Sequence, residues 1–319
     1  MNKKESLKKH LKAAAIVLSS VAAAWGIKTL IARYQIERER SIQTLVKNSK
    51  VIQTTSGPVE ASVSGSGPPV LVVHGAAGGY DQGKIKSEAF QEVTYISVSR
   101  PGYLSTPLST GHTPQEQADA MAALLDEFHI PKTVFIGTST GGLVGLHFAL
   151  RHPQRCRALV LISAVNAPLP FPVSPLAVFS PLLADDFLPW TLLRAESLLL
   201  IHPTLRRQVT AQPEKLEVLD ELVHTAYPMS LRLSGLLNDA IQIDHLEHIN
   251  LEEVQVPTLV IHGTADEVVP FHQGVRSASC IPQACFLPVY GGTHYCALTH
   301  LELTFPVIRE FIAQYQEQG

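Results

Sequence analysis

The amino-acid sequence predicts an α/β protein in which a mostly parallel sheet carries helices on both faces. Two observations carry that reading. Five continuous apolar runs of strand length, PPVLVVHG, TYISVSR, KTVFIGTS, CRALVLISA and VPTLVIHG, each end in small or polar residues, as expected when both faces of a strand are covered. Between them lie segments such as TPQEQADAMAALLDEFH and GGLVGLHFALRHP, whose apolar positions recur at helical spacing.

A chain of 319 residues, 45% hydrophobic and 17% charged, can bury a full core and lies outside the range of disordered sequences. Its formal net charge of -3 provides no basic field for a phosphate backbone, which speaks against nucleic acid as a partner. The four cysteines, Cys156, Cys280, Cys285 and Cys296, lack C-x-x-C spacing and read as mostly buried thiols. Cys280 and Cys285 flank an expected helix-to-strand turn and could approach one another.

The first element is a separate object. A cationic leader, MNKKESLKKHLK, precedes a run from Ala13 to Ile31 that is apolar apart from Ser19, Ser20, Lys28 and Thr29. Its length, with Trp25 and Lys28 near the distal end, predicts a marginal membrane-spanning helix over residues 1–35, followed by a charged stalk over 36–50. A cleaved secretory signal is the competing reading, because Ala22-Ala23-Ala24 offers a small-x-small site. An amphipathic or cytosolic helix is the third. Lysines before the run favour an outward-facing domain, hence an anchored, extracytoplasmic location.

VIQTT and PVEASVSG, separated by Ser56-Gly57-Pro58, predict a starting hairpin. The parallel strands follow, and ACFLPVYGG is the expected last one. Thr113 with Glu116 forms a capping-box pattern before the first amphipathic helix. The core is therefore expected over 51–164 and 251–319. Residues 165–250 lack a clear strand and carry helical patterns in PWTLLRAESLLLI and EKLEVLDELVHTAY, with Pro168, Pro170, Pro172, Pro175 and Pro181 at the start. An insertion of this length at the carboxyl ends of parallel strands predicts a lid over a ligand crevice. An interaction surface is the alternative.

The chemistry begins at Gly137-Thr138-Ser139-Thr140-Gly141, a G-x-S-x-G pattern between a strand and a helix. A serine on that turn takes a strained conformation that exposes its hydroxyl. Small residues two positions away avoid collision with it. The same turn aims backbone N–H groups and the helix dipole at a developing oxyanion. His74-Gly75-Ala76-Ala77-Gly78-Gly79, after the strand PPVLVV, is a glycine-rich turn able to approach substrate closely. The expected oxyanion donors are the N–H groups of Ala76 and Thr140.

Asp266 sits just past the strand VPTLVI, where a carboxylate can fix an imidazole tautomer; Glu267 is the adjacent alternative. His294, in Tyr290-Gly291-Gly292-Thr293-His294 after the last strand, is the expected general base. Among 14 histidines, others such as His147, His152, His202 and His224 read as surface or helix-packing residues. His245 and His248 in HLEH invite a metal reading, but no third ligand is evident nearby; a solvated lid helix is the preferred reading.

These ordered motifs resemble the α/β-hydrolase superfamily from about Val51 to the C-terminus. SRPGYLSTPL also looks like the loop after that family's fourth strand, with Leu104 where glycine is common. Thr138 and Thr140 replace the bulkier residues that often flank the nucleophile. The resemblance implies an eight-stranded, mostly parallel sheet, a covalent acyl-enzyme, and neither cofactor nor metal. A serine at the elbow argues against the branches that use aspartate there. The function expected is a carboxylesterase or lipase-like hydrolase for a small apolar ester, prompted by Phe171, Phe179, Phe187 and Trp190. C–C hydrolysis of a diketone-type substrate and a non-catalytic receptor or scaffold are the alternatives.

Overall fold

The computed structural model describes residues 3–85, 87–169, 186–194 and 213–316. Eight strands form one sheet in the order β1-β2-β4-β3-β5-β6-β7-β8, where β1 is Lys50–Thr54, β2 Gly57–Ser64, β3 Pro69–Val73, β4 Thr94–Val98, β5 Thr133–Thr138, β6 Cys156–Ile162, β7 Thr258–Gly263 and β8 Ala284–Val289. Each lies on a run expected from the sequence. β1 and β2 form the antiparallel hairpin, β2 joins β4 antiparallel, and every pairing from β3 to β8 is parallel.

Alternation along the strands feeds a core on each face. On β5, Phe135 joins one cluster with Leu71, Leu146 and Phe148. Its neighbours Val134 and Ile136 join the other with Val72, Ile308 and Phe311. After the single turn α2 (Tyr80–Gly83), the first face is covered by α3 (Pro114–Glu127) and α4 (Thr140–Arg151). The expected capping box starts α3: Thr113 Oγ1 accepts from Glu116 N–H at 3.2 Å, and Glu116 Oε2 accepts from Thr113 N–H at 2.9 Å.

Between β6 and β7 the described residues form α5 (Phe187–Arg194), α6 (Pro213–His224) and α7 (Leu233–Asp244), and no strand. The start of the expected helix PWTLLRAESLLLI falls within α5, its residues 195–201 lying outside the described residues, and EKLEVLDELVHTAY overlaps α6 as far as His224. Pro170, Pro172, Pro175, Pro181, Phe171, Phe179 and His202 lie outside the described residues. Val218, Leu219 and Leu222 of α6 pack with Ile85, against the partly buried Leu298 and Leu301. The remaining helices are α8 (Phe271–Cys280), α9 (Cys296–Thr299) and α10 (Leu301–Gln316).

The N-terminal expectation is corrected. Residues Lys3–Lys47 form one helix, α1, running without a break through the segments expected as anchor and stalk. Among the described residues no helix is long and apolar enough to cross a membrane. The physical reason is composition: six of the nineteen residues from Ala13 to Ile31 are alanine, which offers little apolar area, and Ser19, Ser20, Gly26, Lys28 and Thr29 interrupt the rest. The expected membrane anchor, and the membrane partner and location inferred from it, are overturned. The chain divides into two units, Met1–Thr44 and Leu45–Gly319, the second of which holds the sheet.

All four cysteines are free. Cys156 and Cys296 are buried, whereas Cys285 is exposed because β8 is an edge strand.

Candidate active site

Ser139 directly follows β5 and caps α4 with φ 53° and ψ -118°. A residue carrying a Cβ in this region is strained by about 1–2 kcal/mol, so the surrounding packing must impose it. That packing is tight. A Cβ on Gly137 would come within 2.5 Å of Gly141 O, and one on Gly141 within 2.3 Å of Val73 O. Both positions accept only hydrogen, which is why the pattern has glycine two residues either side of the serine.

The sheet order brings a second loop to the same place. From β3 the chain passes to β4 on one side and then to β5 on the other, so a crevice opens where the carboxyl ends of β3 and β5 diverge. Val73 pairs with Gly137, which sets the turn after β3 beside the elbow. A Cβ on Gly75 would lie 3.1 Å from Ser139 Cβ. Gln82 Oε1 accepts from the Gly75 N–H at 3.0 Å. The N–H groups of Ala76 and Thr140 have no acceptor among the described residues, and both residues line the cavity that holds Ser139.

Asp266 and His294, 28 residues apart, meet at the ends of β7 and β8: His294 Nδ1 is 2.9 Å from Asp266 Oδ2. Val268 and Val269 N–H each donate to Asp266 Oδ1 at 2.9 Å. His262 Nε2 lies 3.3 Å from Oδ2. Burial alone would raise the Asp266 pKa, but hydrogen bonds from His262, His294 and the Val269 N–H outweigh it and hold the carboxyl well below the usual range. Glu267, the alternative carboxylate, is exposed. His294 lines the same cavity as Ser139. No hydrogen bond joins Ser139 Oγ to its ring among the described residues, and such contacts often tighten only when substrate binds. The arrangement has the parts for nucleophilic catalysis: a strained hydroxyl, a carboxylate-backed imidazole and two free amide donors.

The cavity encloses about 540 Å³ and is mostly apolar; neither Lys nor Arg lines it among the described residues.

Several supporting groups escaped the sequence reading. Arg100, fully buried, donates to Asp239 Oδ1 at 2.8 Å and Oδ2 at 2.6 Å. It also donates to His74 O at 3.0 Å, Gly75 O at 3.3 Å and Thr140 Oγ1 at 2.7 Å. Burial would lower its pKa, but the Asp239 charge overcomes this and raises it. His74 accepts at Nε2 from the Arg100 N–H at 2.9 Å; burial and the Arg100 charge push its pKa well down, so the ring is neutral. Leu104, in the position expected to differ from glycine, takes φ 50° and is tied by its N–H to Leu231 O at 2.7 Å. A motif such as RPGY marks this loop, but nothing in it names Asp239 as its partner.

The HLEH reading is corrected in one respect. Helix α7 ends at Asp244, so His245 and His248 do not share a helical face, and His248 Nδ1 lies 3.5 Å from Arg276 Nη2. Among the described residues no group of three or more His, Cys, Asp or Glu could hold a metal. His152 pairs with Asp119 at 2.7 Å, His147 is buried in α4, and His224 is exposed.

Residues 68–300 match the protein family described as alpha/beta hydrolase fold. The chain is 30% identical to an alpha/beta hydrolase fold protein from Nakamurella multipartita, with a TM-score of 0.75 over 85% of this chain and 100% of that one. It is 26% identical over 268 residues to 2-hydroxymuconate semialdehyde hydrolase of Pseudomonas putida, covering 78% of this chain and 89% of the relative. A thermophilic esterase from Thermogutta terrifontis shares the fold at a TM-score of 0.63 and 23% identity, over 84% of this chain and 99% of that one. With the family match spanning most of the sheet and its connecting helices, the chain belongs to the α/β-hydrolase fold family.

Proposed function

We propose that the protein is a serine hydrolase that cleaves a carboxylic ester of a small apolar substrate through a covalent acyl-enzyme. The observation that carries this reading is the 2.9 Å contact between His294 Nδ1 and Asp266 Oδ2, in a site whose serine is held at φ 53°. Ser139 Oγ attacks the ester carbonyl carbon as its proton passes to His294 Nε2. Asp266 fixes the tautomer and stabilises the imidazolium. Charge developing on the carbonyl oxygen is taken by the Ala76 and Thr140 N–H groups. The intermediate collapses, the alkoxide leaves with the proton from His294, and Ser139 retains the acyl group. Water, giving its proton to His294, then attacks the acyl carbon; the acid departs as Ser139 regains its proton.

A second reading, hydrolysis of a C–C bond in a diketone-type substrate, is favoured by the similarity to 2-hydroxymuconate semialdehyde hydrolase. That relative's name denotes an anionic substrate. The absence of Lys and Arg from the cavity lining among the described residues favours a neutral ester instead, because a buried carboxylate needs a partner. A non-catalytic receptor on this fold would have no use for the hydroxyl, imidazole and carboxylate together. The deciding experiment is steady-state turnover of p-nitrophenyl esters beside a dienoate diketone. Faster ester turnover, abolished in Ser139→Ala, is expected; turnover of the diketone alone would move the assignment to C–C cleavage.

A further inference from the structure

The cavity does not stop at the elbow. It descends along one face of the sheet, past Ile136 and Val72, and ends on Phe90, Tyr95 and Phe305, with Ile308 of α10 on the outer wall. Ile136 is three residues before Ser139 on β5 and pairs with Val72, so the descent is about 10 Å at the usual strand rise, the reach of an extended chain of about eight carbons. Val134 and Val70, the next residues down on that face, belong to the packed core and do not line the cavity.

The floor is built from three rings. Phe90 stands 5.1 Å from Phe305 and 5.9 Å from Tyr95, centroid to centroid. The one polar group there is spent, because Tyr95 Oη donates to Gly83 O at 2.8 Å. A polar or charged group would find no partner on this floor, whereas each methylene entering it leaves water. Leu219 and Leu222 of α6 also line the cavity.

Resting on the serine-hydrolase reading above, we infer that this arm is an acyl-chain pocket and that the substrates are esters of linear, medium-chain fatty acids. The acyl half belongs in the arm because of the order of release. The alcohol must depart before water can attack the acyl-enzyme, so it requires the open mouth. The acyl group stays attached to Ser139 and can occupy a blind end. A cavity of about 540 Å³ exceeds what eight methylenes fill at protein packing density, leaving room at the mouth for the alcohol.

The test has three arms on the full chain. In the first, kcat/KM for p-nitrophenyl esters is expected to rise at least tenfold from acetate to octanoate and to fall beyond dodecanoate. Phe305→Ala, which opens the floor, should raise the dodecanoate-to-butyrate ratio at least fivefold. Ile308→Phe, which narrows the arm, should lower the octanoate-to-butyrate ratio by a similar factor. In the second, methyl alkanoates are compared with alkyl acetates; a preference that follows the alcohol chain overturns the acyl assignment. In the third, calorimetry on Ser139→Ala measures binding of the methyl esters from butanoate through dodecanoate, which this variant leaves intact, and affinity should rise about two- to fourfold per methylene as far as octanoate. A flat profile in both the ester and the binding series overturns the pocket while leaving an esterase. Chain-dependent binding of the methyl esters to Ser139→Ala without ester turnover by the wild type supports the pocket and overturns the esterase reading.

Discussion

Arg100 and Asp239 form a buried, two-pronged ion pair, with Nη1–Oδ1 at 2.8 Å and Nη2–Oδ2 at 2.6 Å, that ties the loop after β4 to helix α7. Because Arg100 also holds His74 O, Gly75 O and the Thr140 hydroxyl, it braces both segments whose N–H groups face the cavity. Removing one partner strands the other charge away from water. Asp239→Ala is therefore expected to lose about 3–5 kcal/mol of stability in chemical denaturation, and the double variant Arg100→Met/Asp239→Leu much less than the sum of the singles. A loss in the double variant equal to the sum of the two single losses would show that the pair is not coupled.

Asp266 has its two oxygens divided between tasks: Oδ2 faces His294 and Oδ1 holds the Val268 and Val269 N–H groups. In Asp266→Asn the amide oxygen can keep the loop while the NH2 group opposes the required imidazole tautomer. We expect kcat to fall about 10³- to 10⁴-fold with the fold retained, read from steady-state kinetics beside a thermal melt. A loss smaller than tenfold would remove Asp266 from the proton path.

The elbow leaves no room at Gly141, where a Cβ would meet Val73 O at 2.3 Å and His74 O at 2.5 Å. Both obstacles are backbone atoms and cannot rotate away. Gly141→Ala should cost at least about 2 kcal/mol and reduce labelling of Ser139. A variant with unchanged melting temperature and labelling rate would mean that the turn is looser than its contacts imply.

His147 is buried in α4 with no partner for Nε2 among the described residues, and burial, aided by the nearby Arg151 charge, pushes its pKa down to about 4. The unfolded chain takes up this proton near the ordinary value of 6.5 and the native state only near 4. Unfolding therefore binds a proton in between, and stability falls as pH drops from 6.5 toward 4. The contribution of this one group reaches about 3 kcal/mol. Denaturation midpoints of the wild type and His147→Gln across that window should diverge, the wild type losing more; parallel curves would contradict a buried neutral imidazole.

The parallel strands were legible because burial on both faces writes itself as continuous apolar runs, whereas β1 and β2 were marked by two β-rich segments either side of Ser56-Gly57-Pro58. The elbow was legible for a related reason: Gly137 and Gly141 record a steric demand made by neighbours close in sequence and by β3 beside them. Ion-pair partners leave no such record. Arg100 and Asp239 are 139 residues apart, and neither periodicity nor spacing couples them. His262 reads as part of an apolar strand, yet its ring comes to Asp266 because residues four apart are brought together by the turn after β7. The leader departs from its expectation because Ala13 to Ile31 has the length of a membrane span, while its alanines and the interruptions at Ser19, Ser20, Gly26, Lys28 and Thr29 reduce its apolar area.

The most direct test of the Ser139–His294–Asp266 assignment is reaction of the folded protein with a fluorophosphonate, followed by peptide mapping. One adduct per chain on Ser139 is expected, formed at a rate that drops at least a hundredfold in His294→Ala while the melting temperature stays close to that of the wild type. An adduct at another residue, or an unlabelled Ser139 in protein shown to be folded, would contradict it.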